Sequence, residues 1–429
     1  MGDETLPQGE RQVLADANGQ AATGEWRRNW PVVMAGAAGG SLASVHLYST
    51  GVMIEPLERE FSWTRAEVSS GLSLVAVIAV ILSPFIGVLI DRIGARRVAL
   101  FGASLFSVSV ACLSQATPSI ALWWAMWSAI AVGGACIAPT VWAAGVSSLF
   151  VRSRGMALAV TLCGTAIGAL VVPMATHLLI DALEWRGAYF GLAAIWAGVT
   201  LPLVYFGFSS SIDRNRKANP AQSVAGKAKV HTASVRKAIA SWKFVKLVLA
   251  AISIVTVASS LLANIVPILT AEGHSAGGAA AIAGLIGAGS IVGRLCGGYL
   301  LDRIDGRIVA GLSVLTPVIS CLILLWAPGS VAAVSLGVLI LGLAVGIEWD
   351  AVAYLASRHF GVSNFGTIFG TIGGLSLLLN GLGPVITNHV YDVTGSYVPA
   401  LWGFIPLCLL SSAMFAMLGP YRSSVDEAG

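Results

Sequence analysis

Gly289-Ser-Ile-Val-Gly-Arg-Leu-Cys-Gly-Gly-Tyr-Leu-Leu-Asp-Arg303 places one arginine inside an otherwise apolar run that closes on a charged turn. At a helical rise of about 1.5 Å per residue, Arg294 stands roughly 12 Å from Asp302, where that turn begins. In a hydrocarbon layer roughly 30 Å thick, this depth is close to the middle. A cation there costs at least about 2.5–3.5 kcal/mol on insertion scales, so Arg294 should face a bundle interior or a watery cavity and meet an anion. Gly287, Ser290, Gly297 and Gly298 lie three, four or seven residues away and give it a small, polar face. The anion is either a protein carboxylate or a substrate.

The rest of the chain agrees with a membrane setting. Soluble chains are usually about a quarter charged, whereas these 429 residues are 11% charged and 56% hydrophobic, with a mean hydropathy of +0.82. That composition reads as an all-α, polytopic membrane protein. The 49 glycines suit close helix approach in lipid. Cys112, Cys136, Cys163, Cys296, Cys321 and Cys408 all fall in apolar runs without CxxC spacing, which argues against disulfides and zinc. Residues 1–30 are polar with acidic groups and read as a soluble tail rather than a secretory signal.

Apolar runs long enough to cross a bilayer lie near 31–54, 66–90, 98–116, 120–149, 156–180, 187–208, 244–270, 279–301, 308–327, 331–357, 365–389 and 398–419, which predicts twelve transmembrane helices. Positive charge falls on alternate connections. One side collects Arg11, Arg27, Arg28, Arg92, Arg96, Arg97, Arg152, Arg154, Arg303, Arg307, Arg358, Arg422 and a basic central stretch; the other has Arg59, Arg65 and Arg186. This asymmetry predicts cytoplasmic N- and C-termini. The reading divides the chain into an N-terminal tail (1–30), a six-helix bundle (31–208), a basic cytoplasmic linker (209–243), a second six-helix bundle (244–419) and a C-terminal tail (420–429). The linker's charges suit anionic lipid headgroups, although topology alone accounts for them.

A repeat joins the halves. Gly87-Val-Leu-Ile-Asp91-Arg92-Ile-Gly-Ala-Arg96-Arg97 and Gly298-Tyr-Leu-Leu-Asp302-Arg303-Ile-Asp-Gly-Arg307 share Gly, Asp and Arg positions at an offset of 211 residues. A second echo joins Phe150-Val-Arg-Ser-Arg-Gly155 to Phe360-Gly-Val-Ser-Asn-Phe-Gly366. Two halves with matching turns imply a duplicated bundle with a substrate site between them.

Gly-x-x-x-Asp-Arg-x-Gly-x-Arg-Arg after the second span, weakly repeated after the eighth, resembles the characteristic loop of the major facilitator superfamily over residues 30–420. Phe150-x-x-x-Arg154-Gly155-Met156-Ala157-Leu158-Ala159 with Gly164, and Gly293-Arg294 followed by Gly298 and Asp302-Arg303, are similar to patterns of the monocarboxylate porters and their bacterial oxalate/formate-type relatives. The resemblance implies that Arg294 holds a substrate carboxylate bidentately. It implies also that Gly87, Asp91, Arg92, Asp302 and Arg303 form gating latches at helix ends. Oxalate-type relatives use a second cation in span eleven; residues 365–389 hold no Lys or Arg, which favours a monocarboxylate.

Other residues are expected near Arg294. Glu348 and Asp350 are candidate proton carriers or structural counter-ions; two residues apart, they cannot share one face, and polarity favours Asp350 toward water. His46, Tyr48, Asn380 and Tyr354 are candidate substrate contacts, each with a packing alternative. An enzyme has one hook, Asp302-Arg-Ile-Asp305-Gly306, which imitates a membrane phosphotransferase motif whose remaining residues are missing, and no HExxH, GxSxG or Walker pattern occurs. The reading is therefore a monomeric, multi-pass inner-membrane secondary transporter for a small organic anion with proton symport, needing no cofactor, metal or nucleic acid. A proton-coupled drug or cation antiporter of the same fold is the alternative.

Overall fold

The computed structural model describes residues 8–150, 154–210, 213, 240–301, 303–360 and 365–419. Among them are thirteen α-helices and no strand: α1 (Gln8–Phe61), α2 (Arg65–Ile93), α3 (Ala95–Cys112), α4 (Ile120–Ala135), α5 (Pro139–Ser147), α6 (Arg154–Gly207), α7 (Trp242–Ala271), α8 (Ala276–Leu301), α9 (Gly306–Ser313), α10 (Thr316–Trp326), α11 (Val331–Phe360), α12 (Phe365–Thr394) and α13 (Val398–Ala416). Ten segments are long and apolar enough to cross a membrane. Phe206, Trp326 and Trp242 are 84%, 74% and 73% exposed, an arrangement that suits lipid and would not suit water. The chain is a multi-pass membrane protein.

Helix boundaries differ from the apolar runs where proline or a turn intervenes. The run 120–149 divides into α4 and α5, because Pro139 has no N–H to continue a helix but fits a first turn. The run 308–327 divides at Val314–Leu315, just before Pro317. α1 begins at Gln8, well before the apolar run, because residues 8–30 are rich in helix-forming Ala, Gln, Glu and Arg. α6 holds two apolar runs and breaks at Glu184, whose φ is 59°. The chain turns back there, since Gly191 lies against Leu179, twelve residues earlier; a straight helix would separate them by about 18 Å.

Buried apolar residues form two cores. One draws nearly all its members from residues 32–208, and the other from residues 244–418 apart from Val52. Tyr48, Leu47 and Ile180 pack against both. The halves meet along antiparallel helix pairs. A Cβ on Gly284 or Gly287 of α8 would run into the Leu170 or Ala166 backbone of α6, and one on Gly381 of α12 into Leu72, Ser73 and Ala76 of α2. These are the same contact twice, since Gly287 and Leu170 correspond, 211 residues apart, to Ala76 and Gly381. The sequence repeat thus reappears as a pseudo-twofold relation between interfaces.

These contacts seal one end and leave the other apart. At the sealed end, Gly51 of α1 packs on Ala263 and Pro267 of α7, and Gly277 of α8 on His177 of α6. At the opposite end a Cβ on Gly87, Gly298, Gly370, Gly373 or Gly374 would meet nothing within 4 Å among the described residues. Phe85 and Met156 are exposed there.

Candidate functional site

Glycines press α8 onto α11 and decide where Arg294 can go. Gly289, Gly293, Gly342 and Gly346 lie at backbone distance across the pair, with Gly346 against the Ser290 carbonyl and the Arg294 amide. Gly297, three residues on, meets Ile347. Arg294 itself is seven residues beyond Gly287 on the stripe that faces α6, and four before the open Gly298. It therefore leaves α8 two turns beyond the Gly287 contact with α6. Its side chain is half-buried and, among the described residues, makes no hydrogen bond or ion pair.

Two carboxylates lie across from it on α11. The Arg294 charge reaches both Glu348 and Asp350, yet neither comes within 4 Å of it. Glu348 also lies within electrostatic range of Tyr48, from the other half of the molecule. Its Oε2 is buried without a hydrogen-bond partner among the described residues, an arrangement costly for a carboxylate oxygen and characteristic of functional positions. Polarity along α11 favours Asp350 toward water; the structure puts Glu348 within electrostatic range of Tyr48. Both acids are half-buried, and α11 bears Trp349 against Phe369 of α12 between them.

Not every expected contact gathers here. His46 donates from Nδ1 to the Ala43 carbonyl at 2.7 Å, and its ring lies edge-on to Phe106 and Trp127, inside the first core. Tyr354, one turn past Asp350, packs its ring under Gly306 of α9 and accepts from Arg358 Nε at 3.3 Å, toward the open end. Asn380 is half-buried beside the Gly381 contact, with no hydrogen bond among the described residues. Arg294 acts electrostatically on Glu348 and Asp350, and Glu348 on Tyr48, while Asn380 adjoins Gly381, which packs on α2.

Of the expected latch residues, Gly87, Arg92 and Arg303 sit at the open end. Gly87 is free of neighbours, Arg92 is exposed, and Arg303 stacks over Tyr299 at 4.3 Å. Asp302 and the Asp91 side chain lie outside the described residues.

The sealed end carries a network that sequence reading did not single out. Asp392 of α12 accepts from the Arg65 and Ala66 amides at 3.1 and 3.0 Å, taking up two N–H groups that the start of α2 leaves free. Arg65 donates to Glu58 at 3.1 Å and to the Tyr397 hydroxyl at 3.0 Å, and its guanidinium lies 3.9 Å from the Tyr391 ring centre. Tyr397 in turn donates to Asn388 at 3.0 Å. The network ties α1 and α2 to α12 and α13. Arg65 and Asp392 are 327 residues apart, so no local pattern announces the pairing.

The sequence profile described as Major Facilitator Superfamily matches residues 36–384, and again 248–428. The chain belongs to the major facilitator superfamily. Human monocarboxylate transporter 11 is 29% identical over 188 residues, 42% of this chain and 39% of that protein. Mouse monocarboxylate transporter 6 is 25% identical over 182 residues, 42% and 37% of the two chains. An uncharacterized MFS-type transporter of Bacillus subtilis, YcxA, is 26% identical over 153 residues, 35% and 37%. The alignments thus span under two-fifths of these relatives' lengths. Among solved structures, a D-xylose-proton symporter superposes with a TM-score of 0.72 at 14% identity, covering 91% of this chain and 98% of that one. A bacterial homolog of the human lysosomal transporter Spinster superposes with a TM-score of 0.64 at 16% identity, covering 90% and 93%. The relatives are transporters, and the fold is theirs rather than an enzyme's.

Proposed function

We propose that this chain is a secondary active transporter that moves an organic monocarboxylate across the inner membrane by alternating access, with a proton carried in the same direction. The observation that carries the reading is the Arg294 guanidinium, half-buried near the seam between halves and without an anion in contact among the described residues. A cation at that depth is stable only if something neutralises it, and a substrate carboxylate fits its fork of parallel N–H donors. The distant monocarboxylate transporter relatives support this class. Tyr48 and Asn380 line the approach, with His46 and Tyr354 further out. Glu348 or Asp350 takes the proton.

The architecture is twelve crossings in two six-helix bundles, 31–208 and 244–419, joined by the linker 209–243 and flanked by the tails 1–30 and 420–429. The kinked α6 supplies two crossings and α1 another. The open end carries Arg92, Arg96, Arg97, Arg303, Arg307 and Arg358, so both termini and the opening face the cytoplasm. The Spinster homolog was solved inward-facing and unoccupied, a comparable arrangement. Gly87, Asp91, Arg92, Asp302 and Arg303 then meet when the site faces outward. Each chain holds both halves, which suits a monomer with lipid as its only other neighbour.

The unpartnered Glu348 oxygen favours a second reading, in which that carboxylate recognises a lipophilic cation in exchange for protons. Proteoliposomes with an imposed proton gradient separate the two. Accumulation of a lactate-like or aromatic acid, with alkalinisation of the medium, is expected; efflux of a lipophilic cation with no acid uptake would replace the first reading by the second.

A further inference from the structure

The α2–α12 and α6–α8 seams correspond at the offset of 211 residues, so a side chain on one has a counterpart on the other. At the sealed end of the first, Asp392 accepts from the Arg65 and Ala66 amides at 3.1 and 3.0 Å and so caps α2 from the opposite half. The counterparts of Asp392, Arg65 and Ala66 on the second seam are Asp181, Ala276 and Gly277. The carboxylate is thus kept, and α8 begins at Ala276. Yet Asp181 does not cap α8. The Ala276 and Gly277 amides carry no hydrogen bond among the described residues, and the Asp181 carboxylate lies 3.3 Å from His177 Nε2, one turn back on its own helix.

What differs is the residue four places earlier. Asn388 accepts from the Tyr397 hydroxyl at 3.0 Å and leaves Asp392 to α2. Its counterpart, His177, pairs with Asp181 and also fills the seam, since a Cβ on Gly277 would lie 2.7 Å from Nε2. An imidazole on α6 and two amides at the positive end of the α8 dipole therefore compete for one carboxylate. Charge decides the competition, because an imidazolium holds a carboxylate by a charge-assisted bond and a neutral imidazole only by an ordinary one. We propose that His177 is a proton-operated switch on the α6–α8 seam: charged, it keeps Asp181 on its own helix; neutral, it yields that carboxylate to α8 as a cap across the halves. The other titratable groups of the packed elements leave this competition alone. On α8 there is none before Arg294, and α3 ends in Cys112. On α1, Glu55 pairs with Arg59, Glu58 with Arg65 and Glu60 with Arg186, while Glu184 follows at the α6 kink. Glu272 and His274 precede α8, and His274 faces the Pro328 carbonyl at 2.7 Å. The seam is then tightest in alkali and loosens as acid is added on the sealed side, so protons favour opening toward the compartment that supplies them. The switch stands apart from Arg294 and from whatever is carried.

The test is a pulsed spin-label distance measurement on the full chain with its six cysteines replaced and labels on Leu178→Cys and Ala281→Cys, both exposed beside the seam. Glu58→Gln is present throughout, so that the carboxyl at the other seam does not contribute. A longer distance, from molecules whose sealed end has opened, is expected to rise about tenfold relative to the short one between about pH 8 and about pH 5.5. His177→Asn, which copies Asn388, should keep the short distance at both pH values, and His177→Gln guards against a folding defect in it. Asp181→Ala can neither pair nor cap, and should show the longer distance equally at both. A chain with His177 and Asp181 in place that gives no pH response would overturn the switch. So would a response that persists in either His177 variant or in Asp181→Ala.

Discussion

A guanidinium offers a carboxylate two parallel N–H donors, whereas an ammonium offers a compact point charge. Arg294→Lys keeps the charge at the seam but loses the fork, so uptake of the acid should fall about tenfold or more while the protein still purifies as a folded species. Unchanged uptake would show that Arg294 acts only as a charge. Glu348 makes a different demand. Its buried, unpartnered Oε2 means that an amide of the same shape fits with little loss. Glu348→Gln should therefore leave acid-for-acid exchange in place and abolish proton-driven accumulation; retained accumulation would move the proton role to Asp350. The small-residue face of Arg294 was legible in the sequence, because helical spacing fixes it. That His46 turns into an aromatic cluster, and Tyr354 toward Gly306, was not, since spacing gives a side chain's face and not which neighbour occupies it.

Among the helices, α8 and α11 depend on contacts no larger than hydrogen. Gly346→Leu would drive a side chain into the Ser290 carbonyl and the Arg294 amide. The expected loss is about 1–3 kcal/mol or more, seen as a lower unfolding temperature, with acid binding impaired because Arg294 moves. The same change at Gly298, where space is open, should leave stability nearly untouched in this conformation. At the sealed end, burial raises the Glu58 carboxyl above its ordinary range, and the neighbouring Arg65 opposes that without reversing it. A carboxyl with a raised folded value contributes most below its ordinary pKa and loses that contribution as pH climbs through the raised one. Acid should thus favour the sealed end. Thermal unfolding followed across the carboxylate range should show stability falling as pH rises, with that component removed by Glu58→Gln. The apolar runs located most helices, and proline explained their division at Pro139 and Pro317. The Arg65–Asp392 link was invisible, because it joins chain segments through tertiary packing alone.

For the molecule as a whole, the repeat at an offset of 211 residues proved to be more than a sequence echo. It relates Gly287–Leu170 to Ala76–Gly381 across the two interfaces, which is the geometry a two-lobed carrier needs to rock about a central site. Which end is open was beyond sequence reading, since both ends use the same helices and differ only in free energy. In the proposed function, Arg294 binds the carboxylate of the transported acid. The direct measurement is the thermal shift of purified protein across a panel of monocarboxylates, their amides and matched dicarboxylates, for the native chain and for Arg294→Ala. Stabilisation by one or more monocarboxylates, weaker with dicarboxylates and absent with the amides and the variant, is the predicted result. Equal stabilisation of the native chain and Arg294→Ala by the same acids would contradict it.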